Sequence, residues 1–298
     1  MDRRFFFKVV GAAAGTTLVG TAPRDAEAAA TAGRRADEAL AVLVDLTKCV
    51  GCRACEAACA EANGLPTPPE GDKVLEQRRD TSQTAFTVVN RAEKGPGVER
   101  FAKKQCMHCV APGCASACPV RAMNKSPEGP VTYDASRCMG CRYCMLACPF
   151  EIPKYEYESA APRVMKCTFC AERQAKGLKP ACTEVCPSGA LTFGKRSELL
   201  QAANARIYQN PGRYVNHVYG EHEAGGTSWL YISDIPFEKL ALREDVPDEA
   251  MPGLVSGALG APPFVMTLWP PLLMGLYAFS HRREEVAKGT EKKEDHHG

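Results

Sequence analysis

Sixteen cysteines fall into four groups of four with none left over, and the groups repeat one spacing. Cys49, Cys52, Cys55 and Cys59 follow C-x2-C-x2-C-x3-C, and Cys138, Cys141, Cys144 and Cys148 follow it again. Cys106, Cys109, Cys114 and Cys118 widen the middle gap to four residues, and Cys167, Cys170, Cys182 and Cys186 widen it to 11. A chain of 298 residues can bury a full core without covalent staples, so thiols at this density need a chemical reason. Three thiolates set two residues apart can wrap three corners of a cubane from one tight loop. The fourth, three residues on, lies on a short helix that points away and reaches a different cluster. Gly51, Gly113 and Gly140 stand near the loops, where they leave room for backbone N–H groups to approach sulfur. Such bonds, with burial and net charge, set a cluster's potential.

Pro149 completes the spacing of a bacterial ferredoxin, and Pro119 and Pro187 repeat the Cys-Pro ending, whereas Ala60 does not. The pattern points to four 4Fe–4S clusters. Two other readings compete. Disulfides suit an exported chain but do not explain four copies of a close-packed spacing. Zinc sites join two C-x2-C pairs across a longer stretch, which only the Cys167 group resembles locally. His108, between Cys106 and Cys109, is expected to pack beside a cluster or tune it rather than ligate iron. Asp295-His296-His297 lies in a charged terminal tail. The sequence carries no G-x-G-x-x-G, P-loop, H-E-x-x-H or G-x-S-x-G run, and so no recognisable substrate-converting site. With 37 Lys and Arg against 35 Asp and Glu, it lacks the basic excess that nucleic acid demands.

The two ends stand apart from the cysteine region. Arg3-Arg4-Phe5-Phe6-Phe7-Lys8, an uncharged run from Val9 to Ala22 and Ala26-Glu27-Ala28 read as an export signal over residues 1–28. Its arginine pair looks like a twin-arginine signal, which carries folded proteins, with Asp2 and Phe7 as departures from the usual pattern. From Ala250 to Ser280 there is no Asp, Glu, Lys or Arg. Residues 261–280 are the expected transmembrane helix, with Pro262 and Pro263 in its first turn and Pro270 and Pro271 kinking it. Arg282 and Arg283 follow directly, so residues 281–298 are expected on the cytoplasmic side and the cysteine domain on the periplasmic face. A buried Pro-rich hairpin is the competing reading.

Between the ends, the expected class is α+β: tandem bacterial-ferredoxin-like units over residues 29–200, a docking extension or a linker to the membrane over 201–250, then the membrane helix. Leu40–Leu46, Ala190–Gly194 and Ser228–Ile232 read as strands, Thr84–Asn90 as β-rich. Arg53–Asn63, Ser116–Met123 and Ser197–Ile207 read as helices, and Ser126-Pro127-Glu128-Gly129 as a turn before the strand Val131–Tyr133. Cys106 to about Tyr157 has the layout of one two-cluster unit. The Cys49 and Cys167 groups must then pair around it as the second.

Four cysteine groups with these gaps resemble the iron–sulfur subunits of the dimethyl-sulfoxide-reductase type. KKQCMHCVAPGCASACPV, CMGCRYCMLACPFEIPKYEYE, HVYGEHEAGGT, the C-terminal apolar run and the closing DHHG resemble more narrowly the HybA-type subunit of membrane-bound nickel–iron hydrogenase. The resemblance implies crosswise ligation. Cys49, Cys52 and Cys55 would share a cluster with Cys186, and Cys167, Cys170 and Cys182 with Cys59. Cys106, Cys109 and Cys114 would join Cys148, and Cys138, Cys141 and Cys144 would join Cys118. It further implies a non-catalytic electron-transfer subunit between the small and large hydrogenase subunits and an integral membrane quinone-reacting subunit. The catalytic partner could equally belong to a molybdenum, nitrite or sulfur respiratory complex. A metal-stapled structural or assembly protein is the reading from a different class.

Overall fold

The computed structural model describes residues 38–95, 97–240 and 242–294. The expected export signal and the Asp295-His296-His297 triplet lie outside the described residues. At the centre is a three-stranded sheet in the order β8-β1-β9. Strand β1 (Leu40–Asp45) runs antiparallel to β8 (Leu191–Lys195), with Val42 opposite Phe193, and parallel to β9 (Trp229–Ile232), with Leu43 opposite Leu230. The sequence LAVLVD shows no polar alternation because both faces are covered. Ala41 and Leu43 pack on Leu199 and Ala203 of a helix spanning Arg196–Gln209, while Val42 and Val44 face Trp229, Tyr231 and the cysteine core.

The three strands expected around this sheet are present, and the helix expected at Ser197–Ile207 extends one residue earlier and two later. Residues 201–250 are more than a linker, however. They supply β9 to the sheet and bury Tyr219, Trp229, Tyr231 and Phe237 almost completely. Large apolar side chains of this kind each contribute about 1.5–3 kcal/mol on burial, more than a solvated connection would hold.

Three hairpins surround the sheet. The longest pairs β2 (Thr87–Gly95) with β3 (Val98–Gln105), where the sequence signalled only the first half of β2. Arg100 ties β3 to Asp234 just after β9, Nη2 to Oδ2 at 2.6 Å. The second joins β4 (Met123–Lys125) to β5 (Val131–Tyr133), and the third joins β6 (Lys154–Tyr155) to β7 (Val164–Met165). The helix expected over Ser116–Met123 is absent. Helical backbone covers Gly113–Ser116 only, Arg121 takes a positive φ of 53°, and Met123 already belongs to β4. Pro119 removes a helical donor, and the Ala122 N–H donates to Cys118 Sγ at 3.1 Å instead of to a carbonyl.

Helix α1 (Ala54–Asn63) carries Cys55 and Cys59 and, between them, the buried Glu56. The Glu56 carboxylate accepts from the Val89 N–H at 2.6 Å, from Arg53 at 2.9 Å and from Arg79, which clamps the cysteine helix to β2. Glu56→Ala leaves two guanidiniums and one N–H without their acceptor. A loss of about 3 kcal/mol is expected, at the low end for a broken buried pair because both arginines keep some water. A chemical-denaturation midpoint reports it, and a change within error would show that the clamp is dispensable.

Met251–Glu294 forms one helix of 44 residues. It begins ten residues before the expected start at 261, so the first-turn proline is Pro252, and both later proline pairs lie inside the helix. Its first turns rest beside the cysteine loops: a Cβ on Gly113 would stand 2.6 Å from the Ala147 carbonyl oxygen and 2.9 Å from Met251 Cβ. From Val265 to Val286 every residue is exposed. Among the described residues, no helix is long and apolar enough to cross a membrane.

Candidate metal centre

The fourfold cysteine repeat is also a repeat of backbone conformation. In the Cys49 and Cys138 loops the second cysteine is flanked by left-handed residues, Gly51 and Arg53 (φ 71° and 58°) and Gly140 and Arg142 (φ 75° and 61°). In the Cys106 loop the left-handed residue is His108 at 48°, and in the Cys167 loop Phe169 at 55° is followed by Cys170 itself at 50°. Left-handed turns swing successive N–H groups into one concavity, which suits anionic sulfur. The Gly51 N–H donates to the Cys49 sulfur, and the Phe169 N–H donates to Cys167 Sγ at 3.4 Å. Gly51 is required twice over, because a Cβ there would also stand 2.6 Å from the Phe101 ring. Gly113, singled out for the same reason, serves packing against the C-terminal helix instead.

The described cysteines are all free thiols, so the disulfide reading has no support here. Their neighbours come from distant groups. Cys49 lies beside Cys186 and Cys52, and Cys59 beside Cys182 and Cys170. Cys109 has Cys148, Cys106 and Cys114 around it, and Cys144 has Cys138, Cys141 and Cys118. Among the described residues, no three His, Cys, Asp or Glu side chains converge closely enough to hold a single ion. A tetrahedral zinc would draw its thiolates to about 3.8 Å of one another, whereas a cubane keeps its four ligands farther apart.

Burial governs the chemistry of these sulfurs. It pushes the Cys59 thiol up to about 12 and the Cys144 thiol to about 11. Cys148 reaches about 11, burial prevailing over the N–H groups of Ile152, Phe150 and Glu151 that favour its thiolate. Near neutral pH such thiols surrender their protons to a metal, not to water. The His108 ring is fully buried and is held neutral first by burial and then by Lys166 and Lys125. Its Nδ1 accepts from the Val131 N–H at 2.9 Å, which leaves the Nε2 proton as a donor that the Cys167 backbone meets only in poor geometry. Trp229 Nε1 and Ser228 Oγ are buried without partners. Unmet donors in a thiol-lined core fit a group that carries acceptor sulfides. The sequence pattern gave no sign that His108 would stack on Phe169, with ring centroids 4.9 Å apart, or that lysines would enter this core.

A 4Fe-4S dicluster domain model matches residues 98–196. The Hydrogenase-2 operon protein HybA of Escherichia coli O157:H7 is 38% identical over 276 residues, covering 81% of this chain and 84% of the relative. The chain belongs to the HybA-type iron–sulfur subunits. A protein of Nitratidesulfovibrio vulgaris is 47% identical over 96% of this chain and 79% of its own length. The nitrate-inducible formate dehydrogenase iron-sulfur subunit of Escherichia coli is 35% identical over 74% of this chain and 78% of its own length. The chain is thus similar both to HybA and to an iron–sulfur subunit of another respiratory oxidoreductase, and 4Fe–4S clusters are its cofactors.

Proposed function

We propose that this HybA-type subunit is a four-cluster electron wire between a periplasmic nickel–iron hydrogenase and a quinone-reacting membrane subunit. The observation that carries the reading is the order in which its thiols bear on one another electrostatically. Cys55 of the Cys49, Cys52, Cys55 and Cys186 set lies beside Cys182 of the Cys59, Cys167, Cys170 and Cys182 set. Cys167 lies beside Cys106, which opens the Cys106, Cys109, Cys114 and Cys148 set. Cys114 in turn lies beside Cys144 of the Cys138, Cys141, Cys144 and Cys118 set. The succession is linear. The inner sets are mostly buried, while Cys52 in the first set is exposed and Cys118, Cys138 and Cys141 in the last are half-buried.

Bound 4Fe–4S clusters supply one-electron transfer with little change of geometry. The chain's own part is to hold them in sequence, exclude water from the inner pair and leave the ends accessible. No substrate-converting role is assigned to it. The C-terminal helix is assigned to the membrane through residues 261–280, with 281–298 cytoplasmic and 1–28 acting as the signal that exports the folded chain. What supports this is the charge-free run ending at Arg282-Arg283 and the exposure of Met266, Leu268, Leu272, Leu273, Met274 and Leu276. The helix leaves the fold beside Gly113 and Ala147, which adjoin Cys114 and Cys148 of the third set.

Anaerobic purification from membranes tests the reading. Iron and acid-labile sulfide equivalent to about four cubanes per chain are expected, with a nickel–iron hydrogenase copurifying. Zinc in place of iron would sink the wire. A molybdenum, nitrite or sulfur enzyme in place of hydrogenase would keep the wire and change its donor, a variation that the formate dehydrogenase relative makes concrete.

A further inference from the structure

Lys103 lies on β3 and is 2% exposed, whereas its neighbour Lys104 turns outward to Asp80 at 2.9 Å. Strand alternation therefore drives one lysine of the pair into the core. Its Nζ donates to Gln105 Oε1 at 2.8 Å and stands 4.3 Å from the centroid of the buried Trp229 ring. The amide that receives it is itself fixed. Gln105 Nε2 donates to the Tyr231 hydroxyl at 2.6 Å, and that hydroxyl donates to the Lys103 carbonyl at 3.0 Å. Lysine, glutamine and tyrosine thus form a closed ring that aims the ammonium.

Among the described residues, no carboxylate pairs with this ammonium. Glu56, the buried acid of the adjoining helix, is taken by Arg53 and Arg79. Sulfur is what remains. The Lys103 charge bears on Cys49 and Cys55 of the first set and on Cys59, Cys167, Cys170 and Cys182 of the second. A buried, unpaired ammonium is too costly to persist without a nearby anion, and the anions that fit are the two clusters on either side.

We infer that Lys103 is a positioning residue for charge, a fixed cation shared by the first two clusters that raises the reduction potential of both. The inference rests on the cluster assignment proposed above. Each reduction adds one electron and one unit of negative charge, with no bond made or broken. A cation held in low dielectric favours that added charge. Lys125 and Lys166 bear on the third set, through Cys109 and Cys114 respectively, so that set has cations of its own.

The test is an EPR-monitored redox titration of the cluster-loaded complex carrying Lys103→Met. Two of the four midpoints should fall, each by at least a tenfold change in the one-electron equilibrium constant, about 59 mV, while the other two stay. Lys103→Arg should restore both. Unmoved midpoints in a fully loaded Lys103→Met protein, or an equal shift of all four, would overturn the inference. If Lys103→Met does not load, Lys103→Gln takes its place, because an amide can keep the bond to Gln105. Should neither neutral variant load while Lys103→Arg loads at wild-type potentials, a charge is required there and the inference stands. Failure of the arginine variant as well would make the role steric and end it. A wild-type complex lacking two clusters in this half would refute the underlying assignment instead, which iron analysis separates from the lysine's effect.

Discussion

Serine in place of Cys148 is expected to damage the cluster built by Cys106, Cys109 and Cys114 and to spare the one built by its own sequence neighbours. Cys148 lies four residues after Cys144, yet the cysteine acting on it is Cys106, and it in turn acts on Cys109 and Cys114. The Cys144 thiol feels Cys138, Cys141 and Cys118. Serine offers a harder, less acidic ligand to iron, so loss or conversion of one cluster in four is the expected result. Cluster-resolved EPR or Mössbauer spectroscopy checks it. Damage confined to the Cys138, Cys141 and Cys144 cluster would refute the crossing.

Deleting the subunit should have the largest effect of all. Hydrogen oxidation with an artificial dye should continue, because no residue of this chain is assigned to that chemistry. Hydrogen-dependent quinone reduction should fall to background, since electron transfer drops steeply with distance and the linear order of thiol sets would be lost. Truncation before Pro262 should leave iron content close to wild type and still abolish coupling, because the helix is assigned as the attachment. Both strains must be compared at matched hydrogenase levels. Persistent hydrogen-dependent quinone reduction in the deletion strain would exclude hydrogenase as the donor. The search would then pass to another respiratory enzyme while the wire assignment stands on its iron content.

Much of this molecule is legible in its sequence because its strongest constraints are local. The cysteine spacing is a loop geometry, and a segment of 11 to 20 residues is decided largely by its own residues. The strands at Leu40, Leu191 and Trp229 are equally local, being short apolar runs bounded by polar residues. The helix expected at Ser116–Met123 failed because Pro119 and a sulfur acceptor diverted the backbone, an effect no propensity contains. The β2–β3 hairpin was seen only in part, since Arg91 to Lys104 carries charges whose partners, Asp234 and Asp80 among them, come from elsewhere in the chain.

The sequence by itself determined the sixteen thiols, their fourfold spacing and the 4Fe–4S chemistry, because ligand number and local reach follow from residue identity and chain length between ligands. Only the tertiary structure decided which distant groups meet, that β9 joins the sheet beside β1, and that Lys103 rather than Lys104 enters the core. Those outcomes depend on sheet pairing and strand register, where one residue of slip exchanges the buried face for the solvent face. Register is set by contacts across long loops, and an ammonium pointed at two clusters is a consequence of it that no local pattern encodes.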